Sequence, residues 1–316
     1  MTRRRRMPTP PIALALTVAA VAAGSAQFRT SVDVVRVEAL VVDRRQQPIG
    51  GLTPGDFALT DCGVAQTIAV RPLGDADIDV LVALDTSSSI SGPQLERLRA
   101  ATVALLERLT PRDRATLISF THTVTLGPAD AAPEALRPRL AALAANGATS
   151  LVDATTTALV WASDRDRPML LIVFSDGHDT ASWTRPDQAL ALARQSAVVV
   201  DAVVTGMAAP GREVAPTISS SRGRPVVQSV GTVLLHSSAS SEPFLPAVTA
   251  LTGGRVMNGE ARGGLDAAFA ASLAQFRSRY EITYTPTATA PGWHPIELEV
   301  KSHHGATVHA RRGYLR

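Results

Sequence analysis

Four apolar runs between positions 79 and 206 constrain the fold of this chain more than any other feature. They are DVLVALD (79–85), RATLISF (114–120), PMLLIVFSD (168–176) and AVVVDAVVTG (197–206). Their residues are apolar on both faces, so a sheet built from them needs cover on both sides. Helical patterns lie between and beside them: PQLERLRAATVALLERL (93–109), APEALRPRLAALAA (132–145), SLVDATTTALVWAS (150–163) and RPDQALALARQS (185–196). Alternation of this kind predicts an α/β domain with a doubly wound, mostly parallel sheet and helices on both faces. TVTLGP (123–128) reads as a short hairpin partner at one edge.

The flanks read differently. VDVVRVEALVVD, DFALTD and QTIAVRPL are short strand-like segments broken by turns at RRQQPIGG and at Cys62-Gly63. They predict a small N-terminal β module over 27–75. The α/β domain is expected over 76–260. A C-terminal helix and β module are expected over 261–316, from LDAAFAASLAQFRSRY, YEITYTP, HPIELEVKS and ATVHARRGYL. Residues 207–241, rich in Ser, Gly and Pro, interrupt the α/β pattern as a surface insertion.

The first 26 residues read as a secretory signal. Arg3–Arg6 precede an apolar stretch from Ile12 to Ala23, and Gly24-Ser25-Ala26 offers a cut before Gln27. An uncleaved anchor is the competing reading of the same pattern. The expected destination is the periplasm or the medium, with no membrane span after cleavage, because no later segment holds 18 continuous apolar residues. The formal charge of +3 owes four positive charges to Arg3–Arg6; without them 27 basic residues face 28 acidic ones. Nothing in that balance calls for nucleic acid. Cys62 is the sole cysteine, which rules out an intrachain disulfide. A thiolate metal site is likewise excluded, since a lone thiol makes no cysteine cluster. His303, His304 and His309 lack zinc-site spacing.

Chemistry concentrates at strand ends. Asp85-Thr86-Ser87-Ser88-Ser89 follows the first apolar run, Thr149 precedes the helix near Ser150, and Asp176 closes the third run. In open α/β sheets ligands bind beyond the carboxyl ends of the strands. One carboxylate and two hydroxyls there, with Thr149 and Asp176, make a set of hard oxygens suited to Mg²⁺, Mn²⁺ or Ca²⁺. Each residue has a plainer role open to it. Ser91, Gly92, Thr149 or Ser150 could cap helices, with Asp153 at capping-box spacing from Ser150, and Asp176-Gly177 could be a turn. His178 and Asp179, next to the last ligand, are candidate partner contacts or solvated loop residues.

The order Asp85, Ser87, Ser89, then Thr149 in GATSLVDA, then Asp176 in FSDG, resembles the von Willebrand factor type A domain and its metal-ion-dependent adhesion site. The flanks VVDRRQQPIGGLTPGDFALTDCGVAQTI and RSRYEITYTP…HPIELEVKSHHGATVHARRGYL resemble the acidobacterial-type VWFA-related proteins, which are exported. The resemblance implies a divalent cation, most often Mg²⁺, at Asp85, Ser87, Ser89, Thr149 and Asp176, with a position left for an Asp or Glu of a protein partner. It implies adhesion-type protein binding rather than catalysis. A metal-dependent hydrolase or phosphotransferase is the alternative. It is disfavoured by Ser87 where a phosphoaspartate enzyme wants a second acid, and by the lack of Gly-x-Ser-x-Gly or a phosphate loop. A structural scaffold with an unused site is the third reading.

Overall fold

A computed structural model describes residues 34–163, 165–206 and 243–316. The expected signal segment and the 207–241 insertion lie outside the described residues. In chain order the N-terminal flank holds β1 (Val35–Val42), β2 (Phe57–Asp61), β3 (Val64–Ala65) and β4 (Ala69–Pro72). The middle follows with β5 (Asp79–Asp85), α1 (Pro93–Glu107), β6 (Arg114–Phe120), β7 (Val124–Leu126), α2 (Arg137–Ala141) and α3 (Leu151–Ala162). It continues with β8 (Met169–Ser175), α4 (Pro186–Gln195), β9 (Val199–Val204), α5 (Phe244–Thr252), β10 (Val256–Asn258) and α6 (Gly264–Arg277). The C-terminal flank holds β11 (Tyr280–Tyr284), β12 (Trp293–Val300), β13 (Thr307–His309) and β14 (Gly313–Leu315).

The central sheet has the order β10-β9-β8-β5-β6-β7, parallel except for β7 at one edge. Every residue of β5, β8 and β9 is buried, as the two-sided apolar runs require. The period of two sorts their side chains. Val80, Val82 and Leu84 face α1 and α6; Leu81 and Ala83 face α3, α4 and α5. Chain connections run outward from β5 in both directions, so the sheet reverses between β5 and β8, where such folds bind ligands.

The helix assigned from sequence to the C-terminal module belongs instead to the α/β core. Leu265, Phe269, Leu273 and Phe276 of α6 are buried against the sheet face that α1 also covers. Its pattern was legible, but which sheet it covered was not.

The two flanks interleave rather than forming separate modules. One antiparallel sheet has the order β13-β1-β11-β4 and the other β14-β12-β2-β3, so each draws on both ends of the chain. They share one apolar core, including Val37, Val41, Phe57, Leu59, Tyr280 and Ile282. Arg279, between α6 and β11, is 2% exposed and ties this core to the α/β layer. Its guanidinium donates to the carbonyls of Glu38 (3.1 Å), His309 (3.1 Å) and Gly253 (2.7 Å).

Candidate metal centre

The parallel register sets Leu84 opposite Phe174 and Asp85 opposite Phe120, so Asp85 and Ser175 leave the sheet at the same edge. Asp85 is fully buried. Its Oδ1 accepts the Ser87 amide at 2.9 Å, and its Oδ2 accepts the Ser175 hydroxyl at 2.8 Å. The Ser87 and Ser89 hydroxyls stand 3.1 Å apart, Ser87 buried and Ser89 exposed. The alternate serines of the loop therefore do face one point. The loop itself is held from behind by Thr86 on Phe120 (2.8 Å), Ser88 on Gly147 (3.0 Å) and Asn146 on Thr86 (2.9 Å).

Asp176 is half-buried, and its Oδ1 accepts the His178 amide at 3.1 Å, an Asx turn that aims the carboxylate. Burial first, and then the neighbouring charge of Asp176, push the Asp85 carboxyl above its ordinary range, against the hydrogen bonds from Ser87 and Ser175. A cation placed between the two carboxylates would relieve that strain.

Thr149 is buried and is placed by its backbone. Its amide donates to the Thr180 hydroxyl (2.9 Å), and its carbonyl accepts from Thr180 (2.8 Å) and Ala181 (2.9 Å). The same 177–184 loop is laced to the start of α3. Asp179 accepts from Val152 (3.3 Å) and Ser182 (2.6 Å), and Asp153 accepts from Trp183 (2.9 Å) and Thr184 (2.8 Å). Asp179 thus has structural work, whereas the side chain of His178 stands exposed on the rim.

Gly92 and Ser150 do stand at the N-cap positions of α1 and α3, through their backbones. Neither Gly92 nor Ser150 makes a side-chain cap, and the Ser150 hydroxyl donates to Thr121 at 2.6 Å. Asp153 serves the facing loop instead. Sequence reading missed Ser175, although a serine in an otherwise apolar buried strand signals a partner. It also missed Thr180 and the loop function of Asp153, which no local pattern reveals.

The candidate donor set is wholly oxygen: the Asp85 and Asp176 carboxylates and the Ser87, Ser89 and Thr149 hydroxyls. That chemistry fits a hard cation and excludes a thiophilic one. The site is an open rim. The clefts of about 470 and 610 Å³ lie elsewhere, the first lined by Asp166 and Ala197 at the amino ends of β8 and β9.

Residues 80–178 match the von Willebrand factor type A domain, a span that holds all five oxygen donors. This chain carries a von Willebrand factor type A domain. Domains of this type mediate protein interactions and are generally non-enzymatic. No curated protein sequence matches the chain. Among solved structures it is similar to BatB from Bacteroides thetaiotaomicron, at 17% identity, 63% of this chain, 98% of that one and a TM-score of 0.45. An aerotolerance-related membrane protein from Bacteroides fragilis gives 16%, 63%, 98% and 0.42. A von Willebrand factor type A protein from Catenulispora acidiphila gives 12%, 90%, 74% and 0.47. These likenesses are too distant to bear on function. Among the described residues no helix is long and apolar enough to cross a membrane.

Proposed function

We propose that this chain is an exported, non-enzymatic binding module that holds a divalent cation and captures a carboxylate of a protein partner through it. The observation that carries the reading is the meeting of Asp85, the Ser87–Ser89 hydroxyl pair and Asp176 where the von Willebrand A sheet reverses. Ser87, Ser89 and Thr149 would supply neutral oxygens. Asp85, with both oxygens already hydrogen-bonded, is suited to act through water, and Asp176 directly or through water. Mg²⁺ is the favoured ion, with Mn²⁺ and Ca²⁺ fitting the same donors. The cation supplies an electrophilic centre, and two carboxylates with three neutral hydroxyls leave it able to accept one more anion. An Asp or Glu on the partner provides that anion.

The open rim suits a protein surface better than a small substrate, and His178 stands where a partner would meet it. The basic-then-apolar stretch ahead of Gln27 supports export.

The test is thermal unfolding of the chelated protein, then with Mg²⁺, Mn²⁺ or Ca²⁺ added, beside Asp85→Ala. Saturating cation should stabilise the wild type, by about 2.7 kcal/mol at one hundred times Kd. The variant should fold and gain nothing. A wild type indifferent to all three ions, or a variant that gains as much, overturns the metal reading. Export is checked by fractionating the producing cells and sequencing the mature amino terminus, expected at Gln27.

A further inference from the structure

A second cluster lies in the flanking sheets. Asp61 ends β2, Cys62 and Gly63 form the two-residue turn into β3, and His294 sits on the adjacent β12. Asp61 and His294 are buried, at 0% and 2% exposure, while Cys62 is open to solvent. One ligand atom from each of the three lies within 4.8 Å of the other two. Around a tetrahedral ion with bonds near 2.0–2.3 Å, ligand atoms stand roughly 3.3–3.7 Å apart. His294 Nδ1 and Asp61 Oδ1 already stand 3.1 Å apart.

The hydrogen bonds leave a gap that a cation fills. The His294 Nε2 meets the Ala290 carbonyl at 2.6 Å; a carbonyl only accepts, so Nε2 carries the hydrogen. In the neutral ring Nδ1 is then a lone pair, and it faces Asp61 Oδ1, another acceptor, at 3.1 Å. The donors nearby are two phenols and the Cys62 thiol, which bonds to Asp61. Tyr284 donates to Asp61 Oδ2 at 3.1 Å, and the single Tyr314 hydrogen serves that same oxygen at 2.9 Å or Nδ1 at 3.2 Å. In the neutral ring the Nδ1–Oδ1 contact itself holds no hydrogen, and a metal ion or a proton fits between the two atoms.

We propose that Asp61, Cys62 and His294 form a zinc-type site, with Zn²⁺ held by one carboxylate oxygen, Nδ1 and the thiolate, and water in the fourth position. A backbone carbonyl on the far ring nitrogen is the usual support of a metal-bound histidine, and the phenols orient the carboxylate in the same way. Two anionic ligands cancel the charge of the ion, which suits the buried side of the site. The open face at Cys62 is the entry path. The bound ion would fasten the β2–β3 turn to β12 and, through Tyr314, to β14. The sequence argument excluded a thiolate site because one cysteine makes no cluster. The fold supplies the missing ligands from the neighbouring residue and from 232 positions away along the chain.

The test uses Co²⁺ as a reporter and Zn²⁺ as competitor on the reduced, full chain, with Cys62→Ser and Asp85→Ala alongside. Expected is a thiolate-to-cobalt charge-transfer band that Zn²⁺ abolishes, is absent in Cys62→Ser and persists in Asp85→Ala. Zn²⁺ affinity should fall by about 100-fold or more in Cys62→Ser, whose exposed turn position leaves folding intact. An oxygen-only site at Asp85 yields no such band, so the two centres are distinguished. The absence of a charge-transfer band in the wild type overturns the site. So does a His294 ring whose two nitrogen NMR signals stay those of imidazolium in excess Zn²⁺, which places a proton between His294 and Asp61.

Discussion

Ser175 is the residue through which the sheet holds its carboxylate. Its hydroxyl donates to Asp85 and accepts the Gly177 amide at 3.0 Å, so one side chain fixes both the first aspartate and the loop carrying Asp176. Ser175→Ala leaves a buried carboxylate oxygen short of a donor. It should lower stability by about 1–3 kcal/mol in urea titration and reduce stabilisation by Mg²⁺ under the metal reading. Asp113 is another buried carboxylate with a defined task. It accepts from Thr110 (amide 2.6 Å, hydroxyl 2.9 Å), from Ile78 (3.2 Å) and from Arg277 (2.5 Å). Burial works against its charge, but these bonds outweigh it and hold the carboxyl below its usual range. The sign follows from linkage: a depressed folded value adds stability above about pH 4, and that stability is lost as pH falls through the folded value. Asp113→Asn should cost about 3 kcal/mol at neutral pH. Its stability should also fall less steeply than the wild type's as the pH drops below about 4, read from urea midpoints at each pH. The five candidate oxygen ligands were proposed from sequence because residue type and strand position alone suggest them. Ser175 and Asp153 were not, because their partners lie 90 and 30 positions away along the chain.

At the scale of elements, α6 shows what a helical pattern leaves open. Its apolar stripe is plain in LDAAFAASLAQF, yet the stripe does not say which sheet it will cover. Phe269 meets Phe174 edge-on, ring centres 6.4 Å apart, one residue before Ser175. Phe269→Ala opens a cavity in this layer and should cost about 3–5 kcal/mol in urea titration. Gly254 marks the closest approach of the α5–β10 turn to β9: a Cβ there would stand 1.9 Å from the Val200 carbonyl oxygen. Backbone on both sides leaves no cheap relief. Gly254→Ala should displace β10 and raise hydrogen exchange of the Ala202 amide, which now donates to Arg255 at 2.9 Å. The strands of the central sheet were legible because burial on both faces writes itself as an unbroken apolar run. Those of the flanks were legible as strands only, since local alternation carries no record of the partner strand.

Across the described residues the two flanks close on one another, and Arg279 is where that closure meets the α/β layer. Burial pushes its guanidinium down from the usual range, while the charges of Asp201 and Glu38 favour it. Arg279→Ala would leave three carbonyls without their donor and remove one of the cations near Asp201 and Glu38, and should cost about 3–5 kcal/mol by urea titration. Glu38 and Asp201 are themselves pushed up chiefly by burial, which the same substitution would aggravate. The sequence by itself determined the α/β class, the covered central sheet and the placing of Asp85 and Asp176 at its strand ends. These follow from side-chain polarity read against the periods of strand and helix, which are local quantities. Only the tertiary structure decided that the flanks share one core, that α6 joins the central layer, and that Asp61, Cys62 and His294 meet. Those outcomes depend on which distant strands pair, and pairing is settled by burial summed over the whole chain.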